Sequence, residues 1–206
     1  RAGYDAIVPG NHDFDLGWWV LKELVESSQI PWIATNVKVK GSDTAPGFLL
    51  PSTIFERGGV KIGFLGVLTK YLSGLVNESL IGNLTVLPYY EVAQTEVQKL
   101  REQGAEIVVA LNHIGYTHDQ RFADSVAGID IIISAHSHTG VEPPYESSKN
   151  HTIIQQAYSK LSAVGVLDIS FDTRARRIVG YQGKLIDLLA DVTPSDLTYA
   201  QYLDSV

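Results

Sequence analysis

At 206 residues, with 45% hydrophobic and 19% charged residues, the chain has the size and composition of one globular domain with a short tail. Its formal charge of −7 argues against a sequence-independent grip on nucleic acid or on an anionic membrane, both of which need clustered Lys and Arg. No apolar run reaches the roughly 20 residues of a membrane helix, no signal-peptide pattern opens the chain, and with neither Cys nor Met there is no disulfide framework to read.

The chain opens at Arg1 on the approach to a strand, without an initiator methionine, and is expected to be cut from something longer. The apolar run Ala6-Ile7-Val8-Pro9 leads as a strand into Gly10-Asn11-His12-Asp13-Phe14-Asp15, where Gly10 permits a sharp turn. Trp18 to Glu26 has helical apolar spacing, with the Trp18-Trp19 pair expected in the core. Pro31 to Thr35 reads as a short strand and Gly41 to Gly47 as a polar loop. Ser52 to Glu56 and Val60 to Leu68 read as a strand pair joined at Arg57-Gly58-Gly59. Pro88 opens a second helix with Tyr89, Val92, Ala93, Val97 and Leu100 on one face, and Gly104 closes it.

The strand Ile107 to Leu111 then runs into Asn112-His113-Ile114-Gly115. A third helix is expected from Thr117, capped by a Thr117–Gln120 box, to about Ala127. The strand Ile129 to Ile133 runs into Ser134-Ala135-His136-Ser137-His138. Strand, helix and strand in succession imply parallel neighbours with a right-handed crossover. Beyond Gly140, the runs 152–157, 164–171 and 177–185 read as strands without intervening helices, so a meander or second sheet is expected. The segment 191–206, with Thr193-Pro194-Ser195, reads as a linker, which leaves 1–190 as the domain.

Four of the six histidines therefore follow β-branched runs. In open α/β sheets ligands bind outside the carboxyl ends of the strands, and imidazole with oxygen donors gathered there suits a divalent transition metal. His136 and His138 are two apart and can share a face. Singly, each histidine is an ordinary loop or core residue; the metal reading comes from all of them together. Asp13 is expected to support a metal ligand from behind or to cap the turn, ahead of binding metal itself, and His118 to face solvent at the helix start. His151 is assigned no function, and Arg174, Arg176 and Arg177 are expected on a solvated hairpin turn.

The three blocks Gly10-Asn11-His12-Asp13, Asn112-His113-Ile114-Gly115 and Ala135-His136-Ser137-His138 resemble signatures of the calcineurin-like metallophosphoesterases. Asp13-Phe14-Asp15-Leu16-Gly17 and Gln156-Ala157-Tyr158-Ser159-Lys160 are most similar to the 5′-nucleotidase branch. The resemblance implies an α/β fold, a two-sheet sandwich flanked by helices, incomplete at its N-terminus because two further blocks of the family precede Gly3. It implies two divalent metals (Zn, Mn, Fe or Co) in the complete domain, with Asn11, His113 and His136 on one and His138 on the other, the missing blocks supplying most of one metal's ligands and the bridging carboxylate. His12 would act as the catalytic acid facing the leaving group, oriented by Asp15.

The expected substrate is a nucleotide or another phosphate ester, hydrolysed by the parent protein, with this chain alone expected to be inactive. A 2′,3′-cyclic nucleotide phosphodiesterase and a nucleotide-sugar pyrophosphohydrolase are rivals within the enzyme class. A non-catalytic remnant that binds a partner or a single metal is the rival outside it. The sequons at Asn77, Asn83 and Asn150 add a weak pointer to a secreted, periplasmic or cell-surface location.

Overall fold

Side chains on successive strand residues point to opposite faces, so a strand that is apolar throughout must be covered on both sides. The computed structural model, which describes residues 3–189, meets that requirement with helices on one face of a sheet and a hairpin on the other. The expected linker over 191–206 lies outside the described residues.

In chain order the elements begin with one 3₁₀ turn at Asn11–Phe14, followed by α1 at Trp18–Ser27, β1 at Val37–Val39, β2 at Ser52–Arg57 and β3 at Val60–Leu68. Two short helices, α2 at Leu72–Leu75 and α3 at Glu78–Ile81, lead to β4 at Leu84–Val86 and α4 at Tyr89–Glu102. Then come β5 at Ile107–His113, α5 at Tyr116–Ser125, β6 at Ile131–Ser134, β7 at Tyr145–Glu146 and β8 at Ile153–Gln155. A long hairpin, β9 at Ala163–Asp172 and β10 at Arg177–Asp187, completes the described fold.

The main sheet has six strands in the order β2-β3-β5-β6-β8-β7. Its middle, β3, β5, β6 and β8, is parallel, and β2 and β7 join antiparallel at the edges. Parallel neighbours need a crossover, which α4 supplies before β5 and α5 before β6. Val108 and Ala110 of β5 point to the helix face and pack with Ala93, Val97, Leu100 and Phe122. Ile107 and Val109 point the other way, against Leu167, Ile169 and Phe171 of β9 and Ile178 of β10. The result is the expected α/β sandwich of two sheets flanked by helices.

A third cluster buries Phe14, Leu21, Trp32, Ala34, Val37, Leu68 and Leu72. Phe14, fully buried, anchors the turn that carries Asn11 and His12. Trp18 stacks on Phe48, with ring centroids 6.5 Å apart, but Trp19 remains 46% exposed, so the tryptophan pair divides between core and surface.

Three local expectations are corrected. Ala6 to Pro9 and Pro31 to Thr35 are not regular strands; they make only the isolated parallel bridges Ile7 to Trp32 and Ile33 to Leu50. Pro9, Pro31 and nearby Pro51 have no N–H to donate, which interrupts any continuous ladder there. Helix α5 starts at Tyr116 with Gly115 at its N-cap, at φ 93°, and no side-chain cap. Thr117 is therefore inside the helix, and the Gln120 amide reaches Tyr116 Oη at 3.4 Å rather than closing a capping box. The β1–β4 ribbon and the turns α2 and α3, too short for a periodic signal, were not expected from the sequence.

Gly66 of β3 is required by a close approach: a Cβ there would lie 2.1 Å from the carbonyl oxygen of Ile33. Gly66→Ala is expected to lower unfolding stability by about 1–3 kcal/mol or more, as overpacking against backbone does. Urea unfolding checks this, and an unchanged midpoint would show that the Ile33 segment can separate from β3 at no cost.

Candidate metal centre

The parallel strands β5 and β6 are neighbours, so their carboxyl ends lie together and their terminal residues face one crevice. His113 is the last residue of β5, and His136 follows the end of β6 by two residues. Asn11 reaches the same place from its 3₁₀ turn. That turn is fixed by Asp13 Oδ2, which accepts the Gly10 N–H at 2.6 Å in the capping role expected for it. Gly10 must be glycine for the backbone to approach so closely, because a Cβ there would stand 2.7 Å from His113 Cε1.

The three side chains close into a triangle. Asn11 Oδ1 lies 2.9 Å from His113 Nε2 and 3.1 Å from His136 Nδ1, and the two ring nitrogens are 3.1 Å apart. Donors in cis about an octahedral ion with bonds of about 2.1 Å are about 3.0 Å apart, whereas tetrahedral donors at that bond length are about 3.4 Å apart. The donor set therefore fits one face of a five- or six-coordinate divalent ion. Among the described residues no group of three or more His, Cys, Asp and Glu is placed to hold a metal, so the set reaches three donors only through the Asn11 amide.

The electrostatics agree with that fit. Burial pushes the His113 imidazole down to about 4, with the neighbouring rings of His136, His12 and His138 adding to the shift. His136 is lowered for the same reasons, burial first and then His138, His12 and His118. Both rings are thus neutral at pH 7 and present lone pairs without first losing a proton. His12 and His138 act on both rings through space. His138, two residues beyond His136, is exposed.

At the mouth, His12 Nδ1 is 2.8 Å from Asp15 Oδ2, with both side chains largely exposed. Beside His136 a recess of about 370 Å³ is lined by Thr69, Tyr71, Leu75, Tyr116 and His118. His118, expected to face solvent, is half-buried there, its ring 6.2 Å from that of Tyr71. His136 and His138 have φ values of 81° and 56°. Non-glycine residues in this region cost about 1–3 kcal/mol each and persist where their surroundings over-determine them. Those surroundings include Asp119, Ser134 and Gln156. Gln156 belongs to a block noted in the sequence without a role; Asp119 looks there like an ordinary polar residue in the first turn of a helix.

No family model matches the chain. It is 31% identical over 195 residues to a snake venom 5′-nucleotidase of Gloydius brevicauda, covering 85% of this chain and 33% of that protein. Among solved structures, a 5′-nucleotidase precursor from Thermus thermophilus superposes with a TM-score of 0.87 at 25% identity, covering 98% of this chain and 42% of that one. A calcineurin-like phosphoesterase from Bacillus subtilis shares the fold with a TM-score of 0.83, covering 98% of this chain and 69% of that one at 23% identity. The chain spans about a third of the length of the curated relatives it matches.

The lowered His113 pKa makes metal-free stability depend on pH. The folded chain resists protonation that the unfolded chain accepts, so this contribution is full above about pH 6.5 and is lost as pH falls toward about 4. Urea midpoints measured across that window should fall more steeply for the wild type than for His113→Gln. Parallel slopes would show that His113 is not held neutral by the fold.

Proposed function

The chain belongs to the 5′-nucleotidase branch of the calcineurin-like phosphoesterases, and from that premise we propose that it supplies the metal-dependent, phosphate-ester-hydrolysing centre of a nucleotidase. The observation that carries the proposal is the neutral Asn11–His113–His136 triangle with the His12–Asp15 pair beside it. In this reading Asn11, His113 and His136 hold one divalent ion, and His138 contributes to a neighbouring one. Zn, Mn, Fe and Co all suit imidazole and amide donors. A divalent centre there supplies Lewis-acid charge for the phosphoryl oxygens and a nucleophile at neutral pH.

The remaining steps belong to the chain's own side chains. Asp15 binds Nδ1 of His12 and so fixes its tautomer, leaving Nε2 as the ring position available to substrate. From there His12 gives a proton or a hydrogen bond to the departing oxygen as negative charge builds on it. The strand ends behind His113 and His136 are set by packing in the sheet and Asn11 by its anchored turn, so the donors are oriented before substrate arrives. The assignment of nucleotides as substrate is supported by the named activities of the relatives. A single-ion binding protein is the second reading, favoured by the close triangle of Asn11, His113 and His136, beside which His138 stands without a comparable set of donors among the described residues.

An extracytoplasmic location, secreted or cell-surface, is supported by the venom relatives. Two of the three sequon asparagines, Asn77 and Asn83, are exposed, while Asn150 uses its amide to reach the Ala123 carbonyl at 2.7 Å. Among the described residues no helix is long and apolar enough to cross a membrane.

His12→Ala in the whole protein should lower nucleotide turnover by roughly 10²–10⁴-fold, the range for loss of a general acid, and leave bound metal unchanged. Steady-state kinetics with metal analysis on the same samples checks this. Loss of metal in the variant would make His12 a ligand, and unchanged turnover would remove it from catalysis.

A further inference from the structure

Behind the donor triangle runs a buried polar chain that the hydrolytic reading leaves unused. Asp119, with no exposed surface in the first turn of α5, accepts hydrogen bonds from Asn112 Nδ2 at 2.7 Å and from Ser134 Oγ at 2.5 Å. Asn112 immediately precedes His113, and Ser134 ends β6 two residues before His136. Gln156, 2% exposed, continues the chain: its Nε2 donates to Ser134 Oγ at 2.5 Å and to the Ala135 carbonyl at 3.3 Å. Its Oε1 accepts from Ser137 Oγ at 3.1 Å and from the Thr139 N–H at 2.5 Å. Ser137 Oγ in turn accepts the Tyr116 N–H at 2.9 Å. The links through Ser137, Gln156 and Ser134 run donor to acceptor toward the Asp119 carboxylate, and the bond to the Ala135 carbonyl branches from them. Such chains polarise their members and fix a single geometry.

We propose that Asp119 and Gln156 are positioning residues for the metal ligands. Asp119 ties the ends of β5 and β6 at the spacing that brings His113 to His136, and Gln156 grips both sides of the turn that carries His136 and His138. The proposal rests on the metal-site reading of the crevice.

Two features separate this role from simple packing. Asp119 has no cationic partner among the described salt bridges, and for packing alone an apolar residue of similar volume serves as well. The turn it supports also places two non-glycine residues at positive φ, a conformation that needs external restraint. Gln156 supplies that restraint with four hydrogen bonds spread over Ser134, Ala135, Ser137 and Thr139.

The test uses Co²⁺ as the probe, with its affinity and visible absorption spectrum read in the wild-type chain, Asp119→Leu, Asp119→Asn and Gln156→Ala. Residues that orient metal ligands cost 10–100-fold in affinity when removed, so Asp119→Leu and Gln156→Ala should weaken Co²⁺ binding about 10–100-fold and alter the spectrum. In Asp119→Asn the side-chain oxygen still accepts from Ser134 Oγ. Its Nδ2 can donate to Asn112 Oδ1, which is buried with no partner among the described residues, once the Asn112 amide turns over. Co²⁺ affinity should therefore stay within about threefold of the wild type. Thermal unfolding of the metal-free proteins accompanies each titration; if Asp119→Leu fails to fold, Gln156→Ala still carries the test. Crystals of metal-free Gln156→Ala give a readout independent of binding, in which His136 Nδ1 should move out of hydrogen-bond reach of His113 Nε2. Folded variants with wild-type affinity, spectrum and His113–His136 spacing would overturn the proposal. A wild-type chain that binds no Co²⁺ would instead overturn the metal reading beneath it, while the crystal spacing still decides whether the tie exists.

Discussion

The site depends on the register between β5 and β6. Asn112 stands opposite Ser134 in the parallel ladder, and from that pairing His113 and His136 emerge at the same edge of the sheet. A slip of one residue would turn the side chains of a strand to the opposite face, carrying His113 away from Asn11 and taking Val108 and Ala110 out of the helix-side core. Burial on both faces prevents the slip: Ile107 and Val109 are held by the hairpin, Val108 and Ala110 by the two crossover helices. The hydrophobic core and the donor triangle are thus set by one constraint. The same pairing puts Asn112 and Ser134 within reach of Asp119, so backbone register and side-chain chain reinforce each other.

The third donor arrives by a different route. Asn11 belongs to no strand, and the segment before it makes only a single bridge through Ile7. Its position comes from Phe14, buried in the cluster around Leu21 and Leu68, and from Asp13 closing the turn onto Gly10. Gly10 and His113 are in contact, so the turn and the strand end cannot shift independently. Strand ends give two donors their rigidity, and an anchored turn supplies the third. The exposed His12–Asp15 pair lies on the same turn and inherits that placement while remaining open to a ligand.

Much of this was legible in the sequence. Apolar β-branched runs ending in Asn-His or Ala-His-Ser-His mark strand ends, because only a strand covered on both faces is apolar throughout and only its end can carry imidazoles to a shared edge. The hairpin at Arg57-Gly58-Gly59 and the apolar face of α4 follow from equally local signals. What escaped depended on distant partners. Pro9 and Pro31 reduce two expected strands to bridges, and Ser137 Oγ accepts from the Tyr116 N–H across the crevice, just past the Gly115 N-cap from which α5 starts. Asp119 and Glu96 are polar residues on helix faces that turn out buried, the first by Asn112 and Ser134, the second by Ser52 Oγ at 2.5 Å. No periodicity distinguishes them from the solvated residues beside them, since their partners lie on other strands.

The central claim is that Asn11, His113 and His136 form one face of a divalent-ion site, and anomalous diffraction from crystals soaked in Mn²⁺ or Zn²⁺ tests it most directly. The account predicts an anomalous peak at about 2.1 Å from Asn11 Oδ1, His113 Nε2 and His136 Nδ1, with the three side chains in the positions described. An ion bound elsewhere on the chain, or a crevice that stays closed by direct contact among the three side chains at saturating metal, would contradict it.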